Sequence, residues 1–323
     1  MKDHDYAYAV ARIRANEGRL LTEAQVRTLA ETPSFDAAVQ MLQSLGWLED
    51  KALTDVSAII ASQYDRLWQL LKESLPDLAQ CRVLTLLNDF QNLKTALKCM
   101  LTGADPARLY ITPTSLDLAA LTTRVQTHAF DLLDPPFAAP AKSAYEAACR
   151  TESGQSADVI VDAAALQALS DAAGATGSRL LTDVFDFICD STNMKIAYRC
   201  ARTGKDISFT EDAVSACAKL DHRLLCAAAV RGEDALLAYL AKTPYADGAA
   251  LLKASTSAFE KWCDDSVTQM VKRAKYVFFG FDPVVAYYYA KVAEIKSVRM
   301  ILSGKQGGVP SETIEERLRA LYV

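Results

Sequence analysis

The sequence repeats itself at an offset of 101 residues, and this self-similarity constrains the architecture more than any local pattern does. The 23-residue segment that begins at Val83 aligns without gaps on the segment that begins at Val184, with nine identical pairs. The identical pairs are Val83/Val184, Asp89/Asp190, Asn92/Asn193, Lys94/Lys195, Ala96/Ala197, Cys99/Cys200, Thr102/Thr203, Gly103/Gly204 and Asp105/Asp206. Such a chain is expected to be built from similar units of about one hundred residues.

Both copies carry one apolar stripe with helical spacing. In the first copy, apolar residues recur every three or four positions from Val83 to Met100, and the second copy repeats these positions with one break at Ser191. Gly103 and Gly204 follow the stripes where a helix favours a residue that tolerates a left-handed backbone. Each copy is therefore predicted to be a long amphipathic helix that ends at its glycine.

A weaker third copy lies near the C-terminus, at an offset of 104 from the second. Residues 294–299 match residues 89–94 in charge and size, and apolar residues again recur every three or four positions. Gly304 is expected to end this helix one turn early. The three copies predict three helical units, residues 1–106, 107–207 and 208–323.

The segments between the repeated helices also favour helix. About one residue in six is Ala, whereas the 323 residues include only 13 Gly and 10 Pro. The expected helical segments are 35–48, 56–75, 116–133, 159–173, 210–240 and 251–279, and the expected loops are 134–140, 151–157 and 303–310. The sequence thus predicts an all-α protein.

Charge and cysteine usage exclude several classes of protein. The net charge is −5 with Lys and Arg spread along the chain, so nucleic acid is not an expected partner. Eight cysteines without a CxxC motif or a zinc-type cluster favour buried, reduced thiols in a cytosolic protein. No window approaches 18 uncharged apolar residues and no apolar leader follows residues 1–5, so neither a membrane span nor a secretory signal is expected.

Motifs that resemble catalytic or cofactor sites are each better explained by a structural role, such as a helix end or an exposed helix face. Residues 203–206 (TGKD) resemble the end of a phosphate-binding loop, but the preceding glycine and strand are missing, which favours a helix end. Residues 262–265 (WCDD) resemble half of the magnesium-diphosphate site of a helical terpenoid enzyme, yet no second Asp-rich motif exists, which favours an exposed face. His4, His128 and His222 are scattered and form no triad or HExxH motif. No catalytic, cofactor or metal site is predicted.

Three further features are candidate interaction sites. The repeated Asp, Asn and Lys at 89, 92 and 94 and at 190, 193 and 195 are expected to pair with neighbouring helices, because their spacing spreads them around the helix. The aromatic stretches 276–281 and 287–289 suit a partner surface, although core packing is the preferred interpretation. Basic residues gather near the C-terminus, where a solvated face is preferred over an acidic surface or lipid head groups. They are Lys272, Arg273, Lys275, Lys291, Lys296, Arg299 and Lys305.

Several segments in order resemble one family. They are the opening 6–15 (YAYAVARIRA) with Leu20-Leu21, the two Asn-apolar-Lys helices with Thr-Gly ends, and the closing 290–302 (AKVAEIKSVRMIL) before a last acidic and arginine-containing segment. This set resembles the C subunit of the archaeal and bacterial V/A-type rotary ATPases, whose eukaryotic relative is the V-ATPase d subunit. The resemblance runs from Tyr6 to about Leu318. Departures are the Pro-rich segment 135–140 and Ser191 in the apolar stripe.

The resemblance implies a fold, partners and a mechanical role. It implies three helical units arranged as a pseudo-threefold funnel at the cytoplasmic end of the membrane rotor ring, holding the foot of the central shaft. ATP hydrolysis elsewhere would turn the shaft, this chain and the ring together, and ion flow would reverse the order during synthesis. It implies no enzymatic activity, no cofactor, no direct membrane insertion, and the central shaft subunits and the proteolipid ring as partners.

Some assignments stay open on the sequence. Loops around Gly103, Gly204 and Gly304 are candidates for one partner-binding rim, since each marks the end of a repeat. Whether the ion is H⁺ or Na⁺ is open, and so is whether the complex makes or consumes ATP. The alternatives are a helical-repeat scaffold unrelated to ATPases, although its usual period is about 20 to 50 residues, and an all-α enzyme that uses Asp264 and Asp265.

Overall fold

The computed structural model describes residues 6–50, 52–75, 77–151, 154–216 and 219–323. All regular secondary structure in these ranges is helical, which confirms the all-α prediction. His4, Cys217 and part of the expected loop 151–157 lie outside the described residues. Contacts divide the chain into two compact units: unit 1 holds residues 1–78, 178–184 and 254–323, and unit 2 holds residues 79–177 and 185–253.

Unit 1 is built from the two ends of the chain. Its helices are α1 Ala7–Glu17, α2 Glu23–Glu31, α3 Phe35–Ser44, α4 Val56–Ser74, α14 Thr256–Lys272, α15 Asp282–Gln306 and α16 Ser311–Glu315. Helix α15 packs against α1, α2, α3, α4, α14 and α16, so it is the centre of this unit. Its Ile295, Val298 and Ile301 are buried in one cluster with apolar residues of α2, α3 and α4.

Unit 2 is the middle of the chain. Its helices are α5 Arg82–Thr102, α6 Leu118–Gln126, α7 Pro135–Thr151, α8 Gly154–Thr176, α10 Ile207–Ala213, α11 His222–Val230, α12 Glu233–Leu240 and α13 Ala246–Ala254. Helix α9 Arg179–Thr203 begins among the residues of unit 1 and continues among those of unit 2. Helix α5 packs on α6, α7 and α8, with Phe90 against Phe137 at 4.8 Å between ring centroids.

The three repeated segments are the long helices α5, α9 and α15, as predicted. The apolar stripe of α5 is buried at Val83, Phe90, Leu93 and Leu97, whereas Leu87 is exposed. Two of the predicted glycine ends are also confirmed. Gly103 follows α5 with φ of 72°, and Gly204 follows α9 with φ of 63°, in the left-handed region where a side chain is unfavourable.

The prediction that Gly304 ends the third repeat is wrong. Helix α15 continues to Gln306, and the left-handed residue after it is Gly308 with φ of 68°. Gly304 instead lies where α16 approaches α15, because a Cβ there would stand 2.7 Å from Cδ1 and 2.9 Å from Cγ1 of the buried Ile314. The glycine serves close packing and not helix termination.

Gly304→Ala is expected to lower the free energy of unfolding by about 1–3 kcal/mol, because the new methyl group forces the buried Ile314 to shift. Gly174→Ala is the matched control, since Gly174 also lies inside a helix but has nothing within 4 Å of the added Cβ. The control is expected to raise stability by about 0.4–1 kcal/mol. Urea unfolding of both variants measures the difference, and equal signs for the two would contradict the packing role of Gly304.

Several predicted boundaries are corrected by the structure. Residues 135–140 are not a loop but the start of α7, where Pro135 and Pro136 occupy positions that need no backbone N–H donor. Residues 154–157 already belong to α8, and 303–306 still belong to α15.

The expected long helices 210–240 and 251–279 are also interrupted. Asp221 begins α11 by accepting a hydrogen bond from the Leu224 backbone N–H at 2.9 Å, and Gly232, with φ of 106°, separates α11 from α12. Ser255 separates α13 from α14, and a short 3₁₀ helix at residues 273–276 ends the second segment. The local turn residues therefore override the apolar periodicity.

The division into three repeats stays a prediction, because contacts group residues by packing and the repeat is a similarity of sequence. No helix in the described part of the chain is long and apolar enough to cross a bilayer.

Candidate functional site

Each repeated helix buries one acidic side chain at the same repeat position. Asp89 on α5 and Asp190 on α9 are 0% exposed, and Glu294 on α15 is 1% exposed. A buried carboxylate is costly unless hydrogen-bond donors surround it. Their partners therefore show what these residues do.

Asp89 holds the segment between α5 and α6. Its carboxylate accepts hydrogen bonds from the Ser115 backbone N–H at 2.9 Å, the Ser115 hydroxyl at 2.6 Å and the Thr114 hydroxyl at 2.5 Å. The Thr85 hydroxyl, one turn earlier on α5, adds a fourth at 3.1 Å. The repeat helix is thereby joined to a segment 26 residues later in the chain.

Asp190 makes the corresponding contacts on α9. It accepts from the backbone N–H groups of Leu220 at 3.0 Å and Lys219 at 3.2 Å, and from the Tyr245 hydroxyl at 2.6 Å. Burial raises the pKa of Asp190 above its usual range despite these donors, and the Asp186 charge acts in the same direction. The joined segment here lies 30 residues after the helix position.

Glu294 makes the third set of contacts on α15. It accepts from the Leu21 backbone N–H at 2.5 Å and from Nε1 of Trp47 at 2.6 Å, and it pairs with the Lys291 ammonium. The Lys291 ammonium also lies 5.0 Å from the centre of the Trp47 ring. Burial lowers the pKa of Lys291 although Glu294 opposes the shift. Here the joined segment is near the start of the chain.

The repeated asparagines add a second tie on the same side of the first two helices. Asn92 donates to the Ile111 carbonyl at 3.0 Å and accepts from the Ile111 N–H at 2.8 Å. Asn193 does the same with Ser215, at 2.9 and 3.0 Å. Ser297 replaces Asn in α15, and among the described residues its hydroxyl bonds only to the Ala293 carbonyl of its own helix. We call the three acids and two asparagines the repeat clamps.

In the part of the chain that the structure describes, the expectation that this polar set pairs with neighbouring helices holds only for Lys94, whose ammonium lies 2.6 Å from Asp162 of α8. The acids and asparagines bind non-helical backbone instead, because such segments have N–H and C=O groups that no helix satisfies. Lys195 forms no ion pair within the described ranges. The sequence does carry a signal for these contacts, because polar residues interrupt the apolar stripe and are identical in the two copies.

The contribution of Asp190 to the free energy of unfolding is expected to decrease as the pH rises. Because its folded-state pKa is raised, the folded chain holds this proton more tightly than the unfolded chain, and the benefit is lost as pH increases through the folded pKa. The unfolding free energy of the wild type minus that of Asp190→Asn should therefore fall with rising pH, starting near the ordinary Asp value of about 3.9. Urea titrations at a series of pH values measure this difference, and a rising difference would contradict it.

Asp264 and Asp265 do not form an exposed face, so that prediction is wrong. Asp264 accepts from Lys296 and from Nε of Arg319, both at 2.8 Å, and Asp265 accepts from the Ala320 N–H at 2.6 Å. Burial raises the pKa of Asp264, but Lys296 and Arg319 outweigh this effect and lower the pKa below its usual value. Both carboxylates therefore fasten the C-terminal segment to α14. Among the described residues, no group of His, Cys, Asp and Glu could hold a metal ion.

The TGKD segment and the histidines have local roles. The Thr203 hydroxyl donates to the Arg199 carbonyl at 2.8 Å, and the Lys205 ammonium lies 4.6 Å from the centre of the Phe209 ring, as expected for a helix end. His128 stacks on Tyr145 at 4.5 Å, and Nε2 of His222 lies 3.0 Å from the Val214 carbonyl oxygen.

No two of the described cysteines are joined to each other by a disulfide. The prediction that all are buried is wrong for Cys149, which is exposed, and for Cys263, which is half-buried. The buried ones are Cys81, Cys99, Cys189, Cys200 and Cys226.

The two aromatic stretches differ in exposure. Tyr287 and Tyr288 are buried in α15, as core packing predicts. In the other stretch Tyr276 is 82% exposed, Phe278 69% and Phe279 63%, so core packing is wrong for these three residues. The chain leaves α14 here and turns into α15 through Gly280, with φ of 82°. This segment is a candidate partner surface in unit 1.

The basic residues near the C-terminus do not share one solvated face. Lys291 pairs with the buried Glu294, Lys296 pairs with Asp264, and Lys305 donates to the Thr32 carbonyl and, at 2.8 Å, to the Ser311 hydroxyl. The remaining cations are Lys272, Arg273, Lys275 and Arg299, which form no ion pair with a described residue.

Comparison with known proteins identifies the family. The family model described as ATP synthase (C/AC39) subunit matches residues 9–317, nearly the whole chain. The chain belongs to this family. The match includes all three repeated helices and every repeat clamp, so the expectation drawn from the resemblance is confirmed at the level of the family.

Two curated relatives of this C/AC39 chain are similar over nearly their full lengths. The V-type sodium ATPase C subunit of Enterococcus hirae is 26% identical over 322 residues, which cover 96% of this chain and 97% of the relative. The A-type ATP synthase C subunit of Halorubrum lacusprofundi is 26% identical over 338 residues, which cover 96% of each. Membership in the C/AC39 family contradicts the alternative of a scaffold unrelated to ATPases.

Proposed function

We propose that the chain is a non-catalytic central-stalk subunit of a V/A-type ATPase, which couples the rotating central shaft to the membrane ring. It would lie on the cytoplasmic side of the membrane, held there by the complex. Torque from the shaft would pass through this chain to the ring during hydrolysis, and from the ring to the shaft during synthesis.

The cyclic order of the repeat clamps carries the proposal. Asp89 of the first predicted repeat binds Ser115 of the second, and Asp190 of the second binds Leu220 of the third. Glu294 of the third binds Leu21 of the first. This cyclic order of contacts supports the proposal that the repeats form a closed pseudo-threefold funnel. Close-packed helices would resist deformation under torque.

The role of each part is mechanical in this proposal. The clamps fix the start of one repeat to the long helix of another, so that a force on one repeat reaches the next without unfolding it. The helix ends near Gly103, Gly204 and Gly304 are proposed to lie on one partner-binding rim; in the third repeat the turn itself is at Gly307 and Gly308. Crosslinks that place these ends on opposite faces of the complex would contradict the rim.

The proposal is tested by a tagged pull-down from detergent-solubilised native membranes, followed by crosslinking mass spectrometry. We expect recovery of a hydrophobic ring proteolipid and a coiled-coil shaft protein, both crosslinked to this chain. Recovery of neither, from membranes shown to hold an intact rotary ATPase, would contradict it. The isolated chain should have no ATPase activity, and stoichiometric nucleotide binding to it would also count against the proposal.

A further inference from the structure

We propose that residues 272–279, the aromatic-basic segment of unit 1, dock on the head-group region of a bilayer that contains anionic lipid. This inference concerns a direct lipid contact and does not depend on coupling of shaft and ring.

The segment exposes aromatic side chains that the fold does not require. Tyr276, Phe278 and Phe279 are 63% to 82% exposed, whereas Phe281, two residues later, is buried and packs on Tyr6 at 5.7 Å between ring centroids. The residues before the second repeated helix, 172–177 (AAGATG), contain no aromatic side chain. The second repeat therefore lacks these rings, so they are not a packing requirement of the repeat itself.

The backbone of the segment is held in place. The Arg14 guanidinium donates to the Ala274 carbonyl at 2.7 Å and to the Val277 carbonyl at 2.6 Å. The Ser178 hydroxyl donates to Asp282 at 2.5 Å just beyond the segment. A segment fixed at both ends presents its rings with little loss of conformational entropy on binding.

Cations flank the exposed rings. Lys272, Arg273 and Lys275 form no ion pair within the described ranges, and the Lys275 ammonium lies over the Tyr322 ring at 4.7 Å. Two acids next to the segment are already engaged, since Glu17 pairs with Arg14 at 2.7 Å and Asp282 binds Ser178. The segment is locally positive although the whole chain carries a net charge of −5.

A bilayer surface fits this combination. Aromatic rings favour the head-group layer, and Lys and Arg next to them are attracted to anionic lipids. The contact would be weak by itself, with a partition constant on the order of 10³–10⁴ M⁻¹, comparable to or below that of one myristoyl chain. Such a contact would orient a protein that a complex already holds near the membrane, and the rings would reach no deeper than the interface.

The test is flotation of the purified full chain with vesicles of phosphatidylcholine alone or with phosphatidylglycerol added. We expect binding to the anionic vesicles only, decreasing with salt. Phe278→Ser/Phe279→Ser should lower the partition constant about tenfold or more, and Lys272→Gln/Arg273→Gln should lower it about fivefold for each charge. In the Phe278→Trp variant, brominated lipids should quench the added indole fluorescence.

Matched controls are Leu109→Ser/Leu132→Ser and Lys142→Gln/Lys242→Gln, which remove exposed side chains of the same classes elsewhere. Equal binding by the segment variants and the controls, or no binding by the wild type, would overturn the lipid contact. If the wild type ignores vesicles but the Phe variant loses crosslinks to the shaft or ring, the segment docks on protein and the proposal is wrong. Vesicle binding without recovery of ring and shaft would instead contradict only the coupling role.

Discussion

Glu294→Ala is expected to lower the free energy of unfolding by about 3–5 kcal/mol, the largest effect expected among the repeat clamps. The change leaves the Lys291 ammonium, whose side chain is 12% exposed, without its ion-pair partner. It also removes the acceptor for the Leu21 N–H and for Nε1 of Trp47, and each unsatisfied buried donor costs about 1–3 kcal/mol. Urea unfolding gives the total, and hydrogen exchange at the Leu21 amide reports the local loss.

Controls separate the lost charge from the lost acceptor. Lys291→Met/Glu294→Gln removes both charges and keeps one acceptor, so it should be less damaging than Glu294→Ala alone. Glu260→Ala removes an exposed carboxylate of the same unit and should change stability by less than about 0.5 kcal/mol. If Glu294→Ala behaves like Glu260→Ala, then Glu294 does not tie α15 to the start of the chain.

Asn193→Ala is expected to lower the free energy of unfolding by about 2–4 kcal/mol. It strands both the N–H and the C=O of Ser215 in a buried site. Asn92→Ala strands the same two groups of Ile111, but in a half-buried site that water reaches, so we expect about 1–3 kcal/mol. Urea unfolding monitored by circular dichroism measures both.

Asn88→Ala is the internal control for this pair. Asn88 lies on the same helix as Asn92, but its side chain donates one hydrogen bond to the described part of the chain, to the Pro113 carbonyl at 2.9 Å. Its loss should cost about 1 kcal/mol. The expected order of destabilisation is therefore Asn193, then Asn92, then Asn88. A larger loss of unfolding free energy for Asn88→Ala than for Asn193→Ala would contradict a stabilising role for the two-bond contact between the repeated Asn and the backbone.

The long helices could be predicted from the sequence because apolar periodicity reports burial directly. Periodicity does not locate interruptions, however, and Asp221 and Gly232 divide the expected helix 210–240 through local turn chemistry. The prolines caused the opposite error. Pro135 and Pro136 predicted a loop, but they begin α7. Gly304 shows the same ambiguity, because a glycine near a helix end serves either the turn or a close contact.

The clamps were only partly predictable. The repeat identified Asp89, Asp190 and their asparagines as special, but their partners lie in non-helical segments that carry no pattern of their own. The exposed Tyr276, Phe278 and Phe279 are aromatic like the buried residues 287 and 288, so aromatic character alone could not separate the two stretches. The Asp282-Pro283 helix start was the available signal, since it places the preceding residues in a loop.

The most direct test of coupling compares the rotary ATPase with and without this chain in proteoliposomes, measuring ATP hydrolysis and ion transport in the same sample. Coupling predicts that hydrolysis continues without the chain while ATP-driven ion transport falls to the passive leak, and that adding the purified chain restores transport. Ion transport that persists without the chain, at an unchanged ratio to ATP hydrolysed, would contradict the coupling role.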